Sequence, residues 1–122
     1  MNKKQTFTFH KRVKSFLNAK EGLKHVFMTQ HNFWIHIVAA IAVISLGFIL
    51  RVSITEWCFL IFAVGFVLVA EVFNTAIESL TDLVSPDFHE LAKISKDVSA
   101  GAVLVAAFIS LLVGIIIFIP KI

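Results

Sequence analysis

The chain has one cysteine, two prolines, no tyrosine and eight acidic residues among its 122 positions. A lone Cys58 excludes an internal disulfide and any multi-cysteine metal site. It sits beside Trp57 at the start of an apolar run, where packing is its expected role. Neither Gly-x-x-x-x-Gly-Lys-Ser/Thr nor Gly-x-Gly-x-x-Gly occurs, which excludes a Walker-type loop and the glycine-rich loop of ordinary protein kinases. There is no internal repeat and no low-complexity segment. Charge is scarce too, at 16% of residues against 58% hydrophobic, with a mean hydropathy of +0.90. A soluble domain of this length cannot bury that much apolar surface, so the class is an integral membrane protein. The basic N-terminal stretch mixes charge with its apolar residues and is followed by no small-residue cleavage site, unlike a secretory signal.

What is present divides cleanly along the chain. Residues 1–28 carry Lys3, Lys4, Lys11, Arg12, Lys14, Lys20 and Lys24 against one acid, Glu21. Phe16, Ala19, Leu23, Val26 and Phe27 recur at helical spacing, which predicts an amphipathic helix on the membrane surface. Its attachment to apolar spans favours lipid phosphates over nucleic acid as partner. Three spans are predicted: 33–50, 57–84 and 98–119. Each is long enough to cross a hydrocarbon core of about 30 Å at about 1.5 Å per residue. Trp34 and His36 sit at the first edge of span one, His36 as an interfacial or packed residue. Gly22 suits a close approach or a local break.

Seven Lys/Arg on the N-terminal flank against a lone Arg51 in the next connection place the N-terminus in the cytoplasm. Span two then returns inward, and 85–97 forms a cytoplasmic loop. Ser85-Pro86 ends the second helix, with Asp87 as a candidate cap for a short segment from Phe88 to Ser95. Ser99-Ala100-Gly101-Ala102 opens span three with small residues that permit close helix packing. The fold class is therefore all-α integral membrane: an N-terminal surface helix and three transmembrane helices forming one domain.

The second span carries the chemistry. Glu71, Asn74, Glu78 and Asp82 step by three, four and four residues, and at about 100° per residue they share one narrow helical stripe. Intramembrane carboxylates mark a site by default. Asn74 and Thr75 alone would suit interhelical hydrogen bonding, but two anions one amide apart repel unless a cation neutralises them. A lone three-helix protomer would have trouble shielding Glu71 and Glu78 from lipid, so self-association is expected. Lys96 and Asp97 join the stripe at the cytoplasmic surface. Hard oxygen ligands beside a lysine suit Mg²⁺ and nucleotide phosphates, with a further carboxylate free to accept a proton from an attacking hydroxyl. On these grounds alone, cation-dependent chemistry and ion transport both stand.

Glu71-Val72-Phe73-Asn74-Thr75-Ala76-Ile77-Glu78, then Asp82, then Lys96-Asp97-Val98-Ser99-Ala100-Gly101-Ala102-Val103-Leu104, resembles the signature of the prokaryotic diacylglycerol kinase family. These are small three-span bacterial membrane kinases that include the undecaprenol kinases. The likeness runs from about Arg12 to the end of the chain. It implies a homotrimer in the bacterial inner membrane, with composite sites at subunit interfaces using ATP and Mg²⁺. It implies phosphoryl transfer to a lipid hydroxyl. By the same resemblance Glu71 is the general base and Asn74 a neighbouring polar residue of the site. Glu78 is a metal ligand and also lies on the cofactor side, with Arg12, Asp82, Lys96 and Asp97 as cofactor-binding residues.

Two positions depart from the family pattern. Gln30 stands where the family usually has a metal-binding Glu; its amide oxygen can coordinate but brings no charge. Trp34 stands where a basic residue is frequent. The wording around Asn74 and Lys96 is similar to the undecaprenol branch more than to the diacylglycerol branch, so undecaprenol is the favoured substrate and diacylglycerol the alternative. A small cation transporter and an inactive scaffold are the remoter readings. The acidic stripe stops short of the outer half of span two, against a through-path.

Overall fold

The computed structural model describes residues 7–122, so the Lys3 and Lys4 of the predicted surface helix lie outside the described residues. Four helices follow one another: α1 (Phe9–Thr29), α2 (His31–Ile49), α3 (Ile54–Val84) and α4 (Glu90–Phe118), then a 3₁₀ turn (Ile119–Lys121). The last three are long and apolar enough to cross a membrane.

Thr8 starts α1 by accepting a hydrogen bond from the Lys11 backbone N–H at 3.2 Å, an ordinary N-cap. The helix runs through Gly22 unbroken, and a Cβ there would meet nothing within 4 Å, so this glycine is neither break nor contact point. Gln30 alone separates α1 from α2, with an extended backbone (φ −108°, ψ 105°) that makes an elbow. Across it the Trp34 indole N–H donates to the Phe27 carbonyl at 2.7 Å. Phe27 also meets Phe33 and Trp34 edge to face, with centroids 4.9 and 5.4 Å apart. Trp34 thus braces the elbow. Val26 is buried, while Phe16 and Leu23 stay exposed, leaving α1 the apolar surface that a membrane-surface helix needs.

The turn from α2 to α3 is tight. Arg51 takes a left-handed conformation (φ 53°), and Ser53 and Glu56 form a reciprocal capping box at the start of α3. Gly47 is required here, because a Cβ would lie 2.6 Å from the Trp57 ring. Val52, Leu60, Ile117 and Phe118 make the buried apolar cluster at this end, and Lys121 reaches Glu56 at 3.0 Å to close it. The Ser110 hydroxyl donates to the Ala63 carbonyl at 2.8 Å, tying α4 to α3.

At the other end the connection is shorter than the sequence suggests. α4 begins at Glu90, so only Ser85–His89 is non-helical and Lys96 and Asp97 stand on the helix rather than in a loop. The cap is His89, whose Nδ1 accepts from the Leu91 N–H at 3.1 Å, and not Asp87. Asp87 instead lends its carbonyl to the Ser85 hydroxyl at 2.8 Å. Helix α3 has 31 residues, hence a length of about 46 Å, which exceeds a hydrocarbon core of about 30 Å. A helix standing along the membrane normal would thus carry its last third, with Glu78 and Asp82, past such a core. The antiparallel hairpins bring the start of α2, the end of α3 and the start of α4 to that same end.

Candidate active site

Glu71 lies seventeen residues after Ile54, about 26 Å along the helix, where α3 approaches the boundary of the hydrocarbon layer. Burial then falls along the stripe: Glu71 is 3% exposed and Asn74 8%, Glu78 is half-buried and Asp82 exposed. The four side chains therefore grade from buried to exposed along the stripe.

Glu71 faces α2. Its Oε1 lies 3.5 Å from His36 Nε2, and the carboxylate accepts no hydrogen bond from any described backbone or side-chain group. Thr75, one turn on, spends its hydroxyl on the Glu71 backbone carbonyl at 3.0 Å. Because one chain already buries Glu71, the shielding that predicted self-association is not required at that residue; Glu78 remains partly open.

Asn74 faces α4 and works in two directions. Its Oδ1 accepts from the Ser99 hydroxyl at 2.7 Å, and its Nδ2 donates to Glu78 Oε1 at 3.1 Å. The Ser99 hydroxyl also lies 3.0 Å from the Lys96 carbonyl. The interhelical bond expected of an isolated asparagine is thus present, and the same amide orients Glu78. Small size at the start of α4 matters through Ser99, which is buried, whereas a Cβ on Gly101 would meet nothing within 4 Å.

Nearer the surface Lys96 pairs with Asp82 across the two helices, and the Thr81 and Ser95 hydroxyls lie 3.4 Å apart beside them. A pair this exposed contributes little stability; what it fixes is an ammonium group above the stripe. Asp97 does not join. It pairs with Lys93 at 2.6 Å along α4, both side chains 63% exposed. Arg12 stacks over the Phe7 ring with 5.5 Å to its centroid, and among the described residues no hydrogen bond or ion pair links it to the stripe. Gln30 donates its amide to the Thr29 hydroxyl at 3.3 Å and makes no hydrogen bond to Glu78.

Magnesium is suited by one or two carboxylates completed by phosphate oxygens. Glu78 meets that requirement: it is partly open, and Asn74 holds only one of its two oxygens. Among the described residues no group of three His, Cys, Asp or Glu is assembled for a metal, so the protein offers single carboxylates and not a cage.

A groove of about 520 Å³ runs between α2, α3 and α4, from His36 past Leu46, Leu60 and Val67 to Phe118. Its walls are almost entirely apolar. The residues that sequence reasoning undervalued are His36 and Ser99. For His36 the available signal was a titratable ring at the edge of the span that must pair with the acidic one.

Four matches to known proteins bear on identity. The family model described as "Prokaryotic diacylglycerol kinase" matches residues 17–118. "Undecaprenol kinase" of Bacillus subtilis (strain 168) is 44% identical over 108 residues, covering 88% of each chain. "Diacylglycerol kinase" of Synechocystis is 41% identical over 87% of this chain and 61% of its own. "Diacylglycerol kinase" of Escherichia coli (strain K12) is 27% identical over 88% of both chains.

Proposed function

The chain belongs to the prokaryotic diacylglycerol kinase family, and from that premise we propose that it transfers the γ-phosphoryl group of ATP to a lipid hydroxyl, with undecaprenol as the favoured substrate. The lipid kinase activity follows from the family. The preference for undecaprenol rests on the 44% identity to an undecaprenol kinase against 27% to the Escherichia coli diacylglycerol kinase. Diacylglycerol is the alternative acceptor, favoured by the 41% identity to the Synechocystis enzyme.

One observation carries the mechanism: a nearly buried carboxylate, Glu71, with no hydrogen bond of its own, set against His36 at the end of the apolar groove. A lipid chain lying along the apolar groove would bring its hydroxyl to the end marked by His36, beside Glu71. Glu71 accepts the hydroxyl proton as the oxygen attacks the γ-phosphorus, and ADP leaves with the electron pair of the broken P–O bond. Glu78 would hold Mg²⁺ jointly with the phosphates, and the ion when bound would neutralise their charge. Lys96, poised by Asp82, supplies a cation for the phosphate oxygens. Asn74 keeps Glu78 aimed.

The protein is read as a homotrimer in the inner membrane with its N-terminus in the cytoplasm, on the basis of family resemblance and the basic N-terminal flank. A cation pathway is disfavoured because the outer continuation of the site is the apolar groove, which offers no ladder of polar groups. The test is phosphorylation in lipid nanodiscs with labelled ATP and Mg²⁺, offering undecaprenol and diacylglycerol in competition. Preferential labelling of undecaprenol is expected. Labelling of diacylglycerol alone overturns the substrate assignment, and labelling of neither lipid overturns the kinase assignment.

A further inference from the structure

The geometry points to His36 as the positioning residue for the general base: its Nε2–H holds Glu71 Oε1, leaving Oε2 to receive the substrate hydroxyl. This rests on the reading of Glu71 as base and adds a residue that the family resemblance did not supply. The Glu71 side chain is 4% exposed and accepts no hydrogen bond from the described residues, so nothing else fixes the orientation of its carboxylate. The nearest donor is His36 Nε2 at 3.5 Å, from a different helix. That distance is longer than a formed hydrogen bond, and contacts of this kind commonly tighten when substrate closes the site.

His36 also touches both halves of the site. Its side chain is 20% exposed and lines the end of the apolar groove, while its ring nitrogen faces the buried acid. A merely packed histidine would do as well as phenylalanine. A positioning histidine would not, because an apolar ring has no N–H to hold one carboxylate oxygen and leaves the orientation of the Glu71 carboxylate undefined.

The test compares His36→Phe, His36→Gln, Glu71→Gln and the double variant His36→Phe/Glu71→Gln in the full-length protein in nanodiscs. His36→Phe should lower kcat about 10- to 100-fold, as expected for loss of orientation of a catalytic base, with KM for ATP moving less than about twofold. His36→Gln, which keeps an N–H donor of similar reach, should recover at least several-fold of the loss. In the Glu71→Gln background His36→Phe should cost nothing further, since both changes remove the same function. A wild-type kcat in His36→Phe, no rescue by Gln, or additive losses would overturn the assignment. If Glu71→Gln itself retains full activity, the base reading falls first and separately. Nuclear magnetic resonance of ¹⁵N-histidine gives a readout independent of turnover and of the Phe variant's folding. The His36 Nε2 resonance should move on Glu71→Gln, and an unmoved resonance overturns the pairing.

Discussion

Replacing Asn74 separates its two roles. In Asn74→Ala the Ser99 hydroxyl loses its 2.7 Å partner but still has the Lys96 carbonyl at 3.0 Å, so little donor capacity is stranded. Glu78 loses the 3.1 Å amide bond but is partly open to water. Interhelical hydrogen bonds in membranes average about 0.6 kcal/mol and bonds to charged groups run to about 1.5–3, so a destabilisation of about 1–2 kcal/mol is expected. Asn74→Asp behaves differently. It keeps an acceptor for Ser99 but sets a second carboxylate against Glu78, a like-charge contact of about 4 kcal/mol at 4 Å and an effective dielectric of about 20. The Asp variant should therefore be less stable than the Ala variant without Mg²⁺ and recover most of the difference at saturating Mg²⁺. Thermal unfolding in nanodiscs, with and without Mg²⁺, measures both. An Asp variant as stable as wild type without Mg²⁺, or one that Mg²⁺ does not rescue, would refute the placement of a cation beside Glu78.

Four further outcomes are expected. Lys96→Ala should raise KM for ATP about tenfold, as loss of a charge-assisted phosphate contact of about 1.4 kcal/mol predicts. Asp97→Asn should stay within about twofold because its partner is Lys93 on the exposed side of α4; steady-state kinetics of the two variants compares them directly. Gly47→Val should lower stability by about 1–3 kcal/mol through collision with Trp57, with kcat little changed in the fraction that remains folded. Gln30→Glu tests whether the elbow faces the metal: a lower Mg²⁺ concentration for half-maximal activity is expected, and an unchanged Mg²⁺ dependence would exclude that placement.

Much of this was legible in the sequence because membrane burial simplifies the patterns. Apolar length alone gave three spans, and the three-four-four spacing put Glu71, Asn74, Glu78 and Asp82 on one face, graded from buried to exposed as observed. Helix ends were less visible. Ser-Pro-Asp marks the end of α3 well, but nothing local announces that α4 begins at Glu90, because His89 caps through a ring nitrogen, outside the usual set of capping residues. The placement of Asp97 also escaped the sequence. It is adjacent to Lys96 in the chain, yet neighbours on a helix point about 100° apart, so one reaches Asp82 and the other does not. Contacts between helices, such as His36 with Glu71 and Ser99 with Asn74, depend on relative rotation that no single-helix pattern encodes.

The proposed mechanism turns on Glu71 as the group that takes the hydroxyl proton. Single-turnover lipid phosphorylation by Glu71→Gln in nanodiscs, at saturating ATP and Mg²⁺, tests this most directly. A rate lower by about 10²- to 10⁴-fold is predicted, the range expected for loss of a general base, with ATP still bound. A rate within about threefold of wild type would contradict it, since the whole effect attributed to the base would then be missing.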